Sequence, residues 1–154
     1  MPLHELKKKL TGTYILIVRF QKKKEINVGK VGAFSFRSGY YLYVGSAFGP
    51  GGLNSRIKRH LLHTKKHHWH IDYLTTEETV DDIWFSSHGK KIECMWATIL
   101  ERTPELQHPV PGFGSSDCTC RSHLFYSKKK PFFSHYCNLL GRGIAKWISP
   151  VSRP

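Results

Sequence analysis

Residues Gly12–Phe20 read GTYILIVRF, and this stretch limits the fold more than any other. It is filled with β-branched and aromatic side chains and lacks helical spacing, so it predicts a buried strand. The polar stretch QKKKE turns the chain. INVGKVGAFSF (Ile26–Phe36) then reads as a second, glycine-interrupted strand and GYYLYVG (Gly39–Gly45) as a third. Consecutive strands with short polar links predict an antiparallel meander.

Beyond the third strand, Leu53, Ile57 and Leu61 recur every four residues and predict a helix over Leu53–Leu62. At about 100° per residue, Arg56, Arg59, His60 and His63 share the neighbouring arc, with no acid among them. HHWHIDYL (His67–Leu74) alternates, which predicts a strand with His68, His70 and Asp72 on one face. DDIWFSSH and SHLFYS read as short strands. KIECMWATILER (Lys91–Arg102) reads as a second helix, stopped by Pro104. PVPGFGSSDCTC is a loop by composition. A basic start and a candidate amphipathic helix around Phe132–Leu140 follow. The expected architecture is an α/β (α+β) single domain, its central, mainly antiparallel sheet flanked by helices. It is expected to span residues 11–127, with 128–154 as a basic extension.

The 154 residues fit one domain, and hydrophobic residues at 40% allow a core without disulfides or metal. Lys+Arg number 24 against 11 Asp+Glu, a net charge of +13. That excess favours polyanionic partners through phosphate contacts and counterion release. No segment reads as a secretory leader or a membrane span, and without an export signal the four cysteines are expected to be reduced. These features predict a cytoplasmic protein without a membrane partner.

The bend GSAFGPGG between the third strand and the first helix invites a phosphate-loop reading. It fails the spacing of both common nucleotide fingerprints, and no Lys-Ser or Lys-Thr follows it. Its glycines are expected to turn the chain or to let a group approach closely. Tyr14 and Tyr43 suit core packing, or acid–base work if nearby cations lower their pKa. With so few acids, a single divalent ion on one carboxylate fits better than a two-metal site. Cys94, Cys118, Cys120 and His123 are ligand types that suit zinc, although CTC is not the CxxC spacing of common zinc sites. Buried reduced cysteines are the alternative.

Together, GTY at Gly12–Tyr14 and YVG at Tyr43–Gly45 resemble the two half-motifs of the GIY-YIG nucleases. The longer strings YVGSAFGPGGLNSRIKRHL, KKHHWHIDYL and GFGSSDCTCRSHLF resemble the Uri-type branch of that superfamily, over roughly Thr11 to Phe125. Thr13 stands where isoleucine is typical, and the spacer between the half-motifs is longer than in short-spacer members. The usual late asparagine has no evident counterpart; Ser116, Asp117 or His123 are candidates for its place.

The resemblance implies a divalent-metal-dependent endonuclease acting on DNA ahead of RNA. Tyr14 or Tyr43 would be the general base, Arg56 the phosphate clamp and His60 an orienting or protonating group. Glu93 would hold one Mg²⁺ or Mn²⁺. Lys30, Ser46, Arg59, His63, Lys65 and Lys66 are the expected nucleic-acid contacts. His68, His70, Asp72, Asp117 and His123 would line or brace the cleft. Two rivals stand beside this reading. One is a non-catalytic DNA- or RNA-binding module on the same scaffold. The other is a zinc protein using the cysteine set, or His68, His70 and Asp72.

Overall fold

The computed structural model describes residues 10–116, 118–141 and 143–147. In chain order the elements are β1 (Gly12–Phe20), β2 (Lys24–Val28), β3 (Gly32–Phe36), β4 (Gly39–Ala47), α1 (Gly52–His60), α2 (Asp72–Thr75), β5 (Thr79–Ser86), α3 (Glu93–Glu101), β6 (Leu124–Ser127), α4 (Phe133–Leu140) and β7 (Ile144–Lys146). Five strands make one antiparallel sheet in the order β6-β4-β1-β5-β7. Helices cover it, so the fold is α+β, as the sequence predicts.

The continuous apolar run of β1 follows from its central place. Successive side chains of a strand point to opposite faces. Tyr14, Leu16, Val18 and Phe20 enter one core with Leu53 and Ile57 of α1 and Leu74 of α2. Ile15 and Ile17 enter the other, with Trp96 and Leu100 of α3 and Tyr136 and Leu140 of α4. Both faces are buried, so neither set of positions tolerates polar residues. Each large side chain here contributes roughly 2 kcal/mol of burial.

Three expectations are corrected. The strands do not form a simple meander: β4 pairs directly with β1, from Gly12↔Ala47 to Phe20↔Gly39. The middle stretch folds back at a 3₁₀ turn, Gly29–Val31, and its halves β2 and β3 form a hairpin of their own. His67–Leu74 is not a strand. The Asp72 carboxylate accepts the backbone N–H groups of His68 and Trp69 at 2.8 and 2.9 Å, which closes a turn leading into α2. Nor does the domain end at residue 127. β7 pairs with β5, and Tyr136 of α4 packs on Trp84 with ring centroids 5.7 Å apart. Among the described residues, no helix is long and apolar enough to cross a membrane.

Candidate functional site

The pairing of β1 with β4 sets Tyr14 opposite Gly45 and Leu16 opposite Tyr43, so the two tyrosines are diagonal neighbours on one face. Their ring centroids lie 6.5 Å apart. Gly45 is glycine for a packing reason: a Cβ there would lie 2.5 Å from the Tyr14 ring and hydroxyl. Gly45→Ala is therefore expected to cost about 1–3 kcal/mol, read as a lower denaturation midpoint, because the Tyr14 ring cannot move without disturbing the core.

The glycine-rich bend carries the chain from β4 into α1. Gly51 precedes the helix at φ 83°, a left-handed conformation that glycine adopts without steric cost. α1 then delivers two groups to the tyrosines. His60, its last residue, is buried, and its Nε2 lies 2.6 Å from the Tyr14 hydroxyl. Arg56, one turn earlier, donates from Nη1 to the Ser46 carbonyl at 2.9 Å, and its guanidinium lies 4.2 Å from the Trp69 ring centroid.

The electrostatics separate the two phenols. Burial raises Tyr14 above the ordinary tyrosine range, and Arg56 pulls it partly back. Tyr43 is also raised, first by burial and then by Tyr14 and Glu93. Glu93 acts on both, so it belongs to the same electrostatic neighbourhood. Only Tyr14 has a basic nitrogen at hydrogen-bond distance. The Tyr43 hydroxyl has no partner among the described residues.

His60 is held neutral. Burial, aided by the Lys65 charge, lowers it to about 3. Unfolded, it takes a proton near 6.5. Between those values the unfolded chain binds more protons, so this contribution is complete above pH 6.5 and is lost as pH falls toward 3. Over the whole window it amounts to something on the order of 4 kcal/mol. Denaturation midpoints measured from pH 7 to pH 4 should fall for the native chain and lose that part of the slope in His60→Phe. Equal slopes would remove the assignment.

The basic arc expected on α1 is divided. Arg59 pairs with Asp72 at 2.8 Å, donates to the Lys66 carbonyl and, like Arg56, lies against the Trp69 ring, 4.5 Å from its centroid. Lys65 turns inward to the carbonyls of Arg59 and His60, and burial lowers it to about 8. Both stand beside the fully buried Asp72 carboxylate, which needs cations near it; the Arg59 side chain keeps part of its surface exposed. Lys30, His63 and Lys66 are exposed, while Ser46 is half-buried with its carbonyl occupied by Arg56. His68, His70 and Asp72 do not converge as a metal set. Asp72 serves the turn, His68 packs on Trp69, and His70 Nδ1 accepts the Gly114 N–H at 2.8 Å. Asp117 lies outside the described residues.

The cysteine set does converge. Donor atoms of Cys94, Cys118, Cys120 and His123 all lie within 4.8 Å of one another, an arrangement that can hold a metal ion such as zinc. Cys94 comes from the first turn of α3, Cys118 and Cys120 from the loop before β6, and His123 from the residue preceding that strand. Burial and the neighbouring thiols push Cys120 up to about 12. Cys118 is lowered: burial opposes its ionisation, but hydrogen bonds from Cys120 and Cys94 and the charge of His123 prevail. A bound dication would favour the thiolate form of all three cysteines.

The two groups of residues adjoin. A Cβ on Gly114 would lie 2.9 Å from the Tyr43 ring and 3.3 Å from His123 Cβ. His123 Nδ1 lies 2.8 Å from Glu93 Oε2. Glu93, Lys91, Cys94, Gly114, Cys118 and His123 line a pocket of about 220 Å³. Sequence reasoning grouped the cysteines with His123 but missed the roles of Trp69 and Gly114; the only local clue to Trp69 was its place beside a basic helix.

The family model described as domain of unknown function DUF123 matches residues 13–145. No curated protein and no solved structure matches the chain.

Proposed function

The chain belongs to the DUF123 family, and from its site we propose a metal-dependent endonuclease that hydrolyses phosphodiester bonds in DNA. The observation that carries this reading is the buried Tyr14–His60 contact at 2.6 Å, set beside Arg56. The resemblance of GTY and YVG to the GIY-YIG half-motifs agrees with it.

Tyr14 is the general base in this scheme. A phenol raised by burial does not ionise alone at neutral pH; the Arg56 charge, which already pulls it back, and a cation held at Glu93 would favour the phenolate, while the neutral His60 imidazole orients the hydroxyl. Arg56 then faces both the phenolate and the substrate phosphate, and its planar guanidinium suits two non-bridging oxygens. Tyr43, without such a partner, remains a neutral packing and hydrogen-bonding group. The scheme requires that water reach the Tyr14 hydroxyl.

One Glu93 oxygen faces His123, and the other has no protein partner among the described residues. Glu93 therefore fits as the protein ligand of one Mg²⁺ or Mn²⁺, an ion that would offset charge at the leaving oxygen. At the cysteine cluster, three sulfurs and one imidazole favour Zn²⁺ in a closed structural site. Exposed Lys30, His63 and Lys66 are the candidate backbone contacts to DNA.

A panel of end-labelled duplex, flap, branched and single-stranded DNA and RNA, with and without Mg²⁺ or Mn²⁺, tests the proposal. Metal-dependent cleavage of DNA supports it. Salt-sensitive binding with no turnover on any substrate would replace it with the non-catalytic binding module.

A further inference from the structure

We propose that His123 couples two metal sites. Its Nε2 binds the ion held by Cys94, Cys118 and Cys120, and metal binding aligns its Nδ1–H, which already faces Glu93, to donate to that carboxylate, so the thiolate centre positions the carboxylate of the adjoining cleft. The inference deepens the nuclease reading and rests on it only where Glu93 is taken to hold a catalytic ion. The link from zinc to Glu93 stands on geometry alone.

The distances fit the assignment. Zn–S near 2.3 Å and Zn–N near 2.0 Å in a tetrahedron put sulfur and nitrogen about 3.5 Å apart. His123 Nε2 and Cys118 Sγ lie 3.5 Å apart. The opposite ring nitrogen lies 2.8 Å from Glu93 Oε2, close enough for an ion pair but out of line for a hydrogen bond, so Nδ1 is a buried donor that a small turn of the ring would satisfy at Glu93. A metal-bound imidazole almost always gives its second N–H to such a partner, which fixes the tautomer and strengthens the ligand nitrogen. His123 is buried, with its backbone tied by N–H to Phe113 O at 2.8 Å and by its carbonyl to Val44 N at 2.9 Å. The ring thus sits on a fixed strand end. Glu93 begins α3 and Cys94 follows it, so the same helix start supplies a metal ligand and the carboxylate behind another ligand.

This arrangement gives Glu93 a second duty. Its Oε2 is engaged by His123, leaving the other oxygen for an ion in the pocket of about 220 Å³ that both residues line. Coupling of this kind is reciprocal. Removing the charge of Glu93 weakens zinc at a centre it does not touch, and removing zinc loosens Glu93.

The test is Zn²⁺ affinity, measured on the full chain by competition with a chromophoric chelator. The native chain is expected to bind one Zn²⁺, and Glu93→Gln to bind it about 10–100-fold more weakly. In a His123→Cys background the fourth ligand remains but has no second nitrogen, so Glu93→Gln should change affinity less than twofold. Thermal unfolding of each variant is recorded first; Glu93→Gln, at a partly exposed position, carries the test alone if His123→Cys does not fold. The proposal is overturned if the native chain takes no stoichiometric zinc, if Glu93→Gln binds zinc as tightly as the native chain, or if the loss is the same in both backgrounds. An absence of cleavage with the zinc coupling intact would sink the nuclease reading and leave this one standing.

Discussion

Tyr14→Phe is expected to slow DNA cleavage on the order of 10³-fold, with substrate affinity unchanged within about twofold. The substitution removes one oxygen and leaves the ring that packs beside Tyr43 and His60. It takes away both the proposed base and the partner of His60 Nε2. The other His60 nitrogen, Nδ1, is buried and has no hydrogen-bond partner among the described residues. The imidazole thus has one functional contact, and it is to Tyr14. Tyr43→Phe is the necessary companion. Its hydroxyl has no partner among the described residues, so its loss should cost much less, about tenfold. Equal losses would mean that the two phenols share the task, and a larger loss at Tyr43 would reverse the assignment. Single-turnover rates on pre-bound substrate give the comparison without interference from product release.

Asp72→Ala is expected to be the most destabilising single change in this region, about 3–5 kcal/mol. The Asp72 side chain is 0% exposed and accepts from Arg59, His68 N and Trp69 N. Burial works against its ionisation, yet Arg59 and the two N–H groups hold it below the usual carboxylate range. Without the carboxylate, two backbone donors lose their acceptor and the Arg59 and Lys65 charges face each other unrelieved. The turn that carries Trp69 loosens, and with it the stacking surface under Arg56. A fall in Tm of about 10 °C is the expected reading for a domain of this size. Asp72→Asn keeps an acceptor oxygen and should lose less. A shift under about 2 °C for Asp72→Ala would show that the turn is held by other contacts.

The elements that the sequence predicted well are those whose local pattern and tertiary place agree. β1 is apolar throughout because both of its faces are buried. α1 and α3 keep their stripes because each lies on one face of the sheet. The misreading at His67–Leu74 has the opposite cause. Its alternation came from a turn in which Asp72 caps backbone donors while Trp69 meets two arginines, so period two arose without a neighbouring strand. The link between β1 and β4 was hidden because the intervening hairpin mimics a middle strand.

The candidate residues Tyr14, Tyr43, Arg56, His60 and Glu93 were named through resemblance, and the fold brings them into one neighbourhood. Their pairing was not readable from spacing. Tyr14 and His60 are 46 residues apart in sequence. The cysteine cluster was obscured for a related reason. Cys94 sits on α3, far along the chain from Cys118, and only the packing of that helix start against the loop closes the set. Among the expected basic contacts, the engagement of Arg59 and Lys65 with Asp72 was not legible, because a helical arc shows which direction charges point, not the buried carboxylate across the turn.

The nuclease claim is tested most directly by the cleavage of end-labelled DNA in Mn²⁺ by four proteins: the native chain, Tyr14→Phe, Arg56→Ala and Glu93→Gln. Binding is measured in parallel. The native chain should cut, and each variant should cut at least about 10²-fold more slowly while Tyr14→Phe still binds. No metal-dependent cut by the native chain on any substrate, or a cut that survives all three substitutions, would contradict the account.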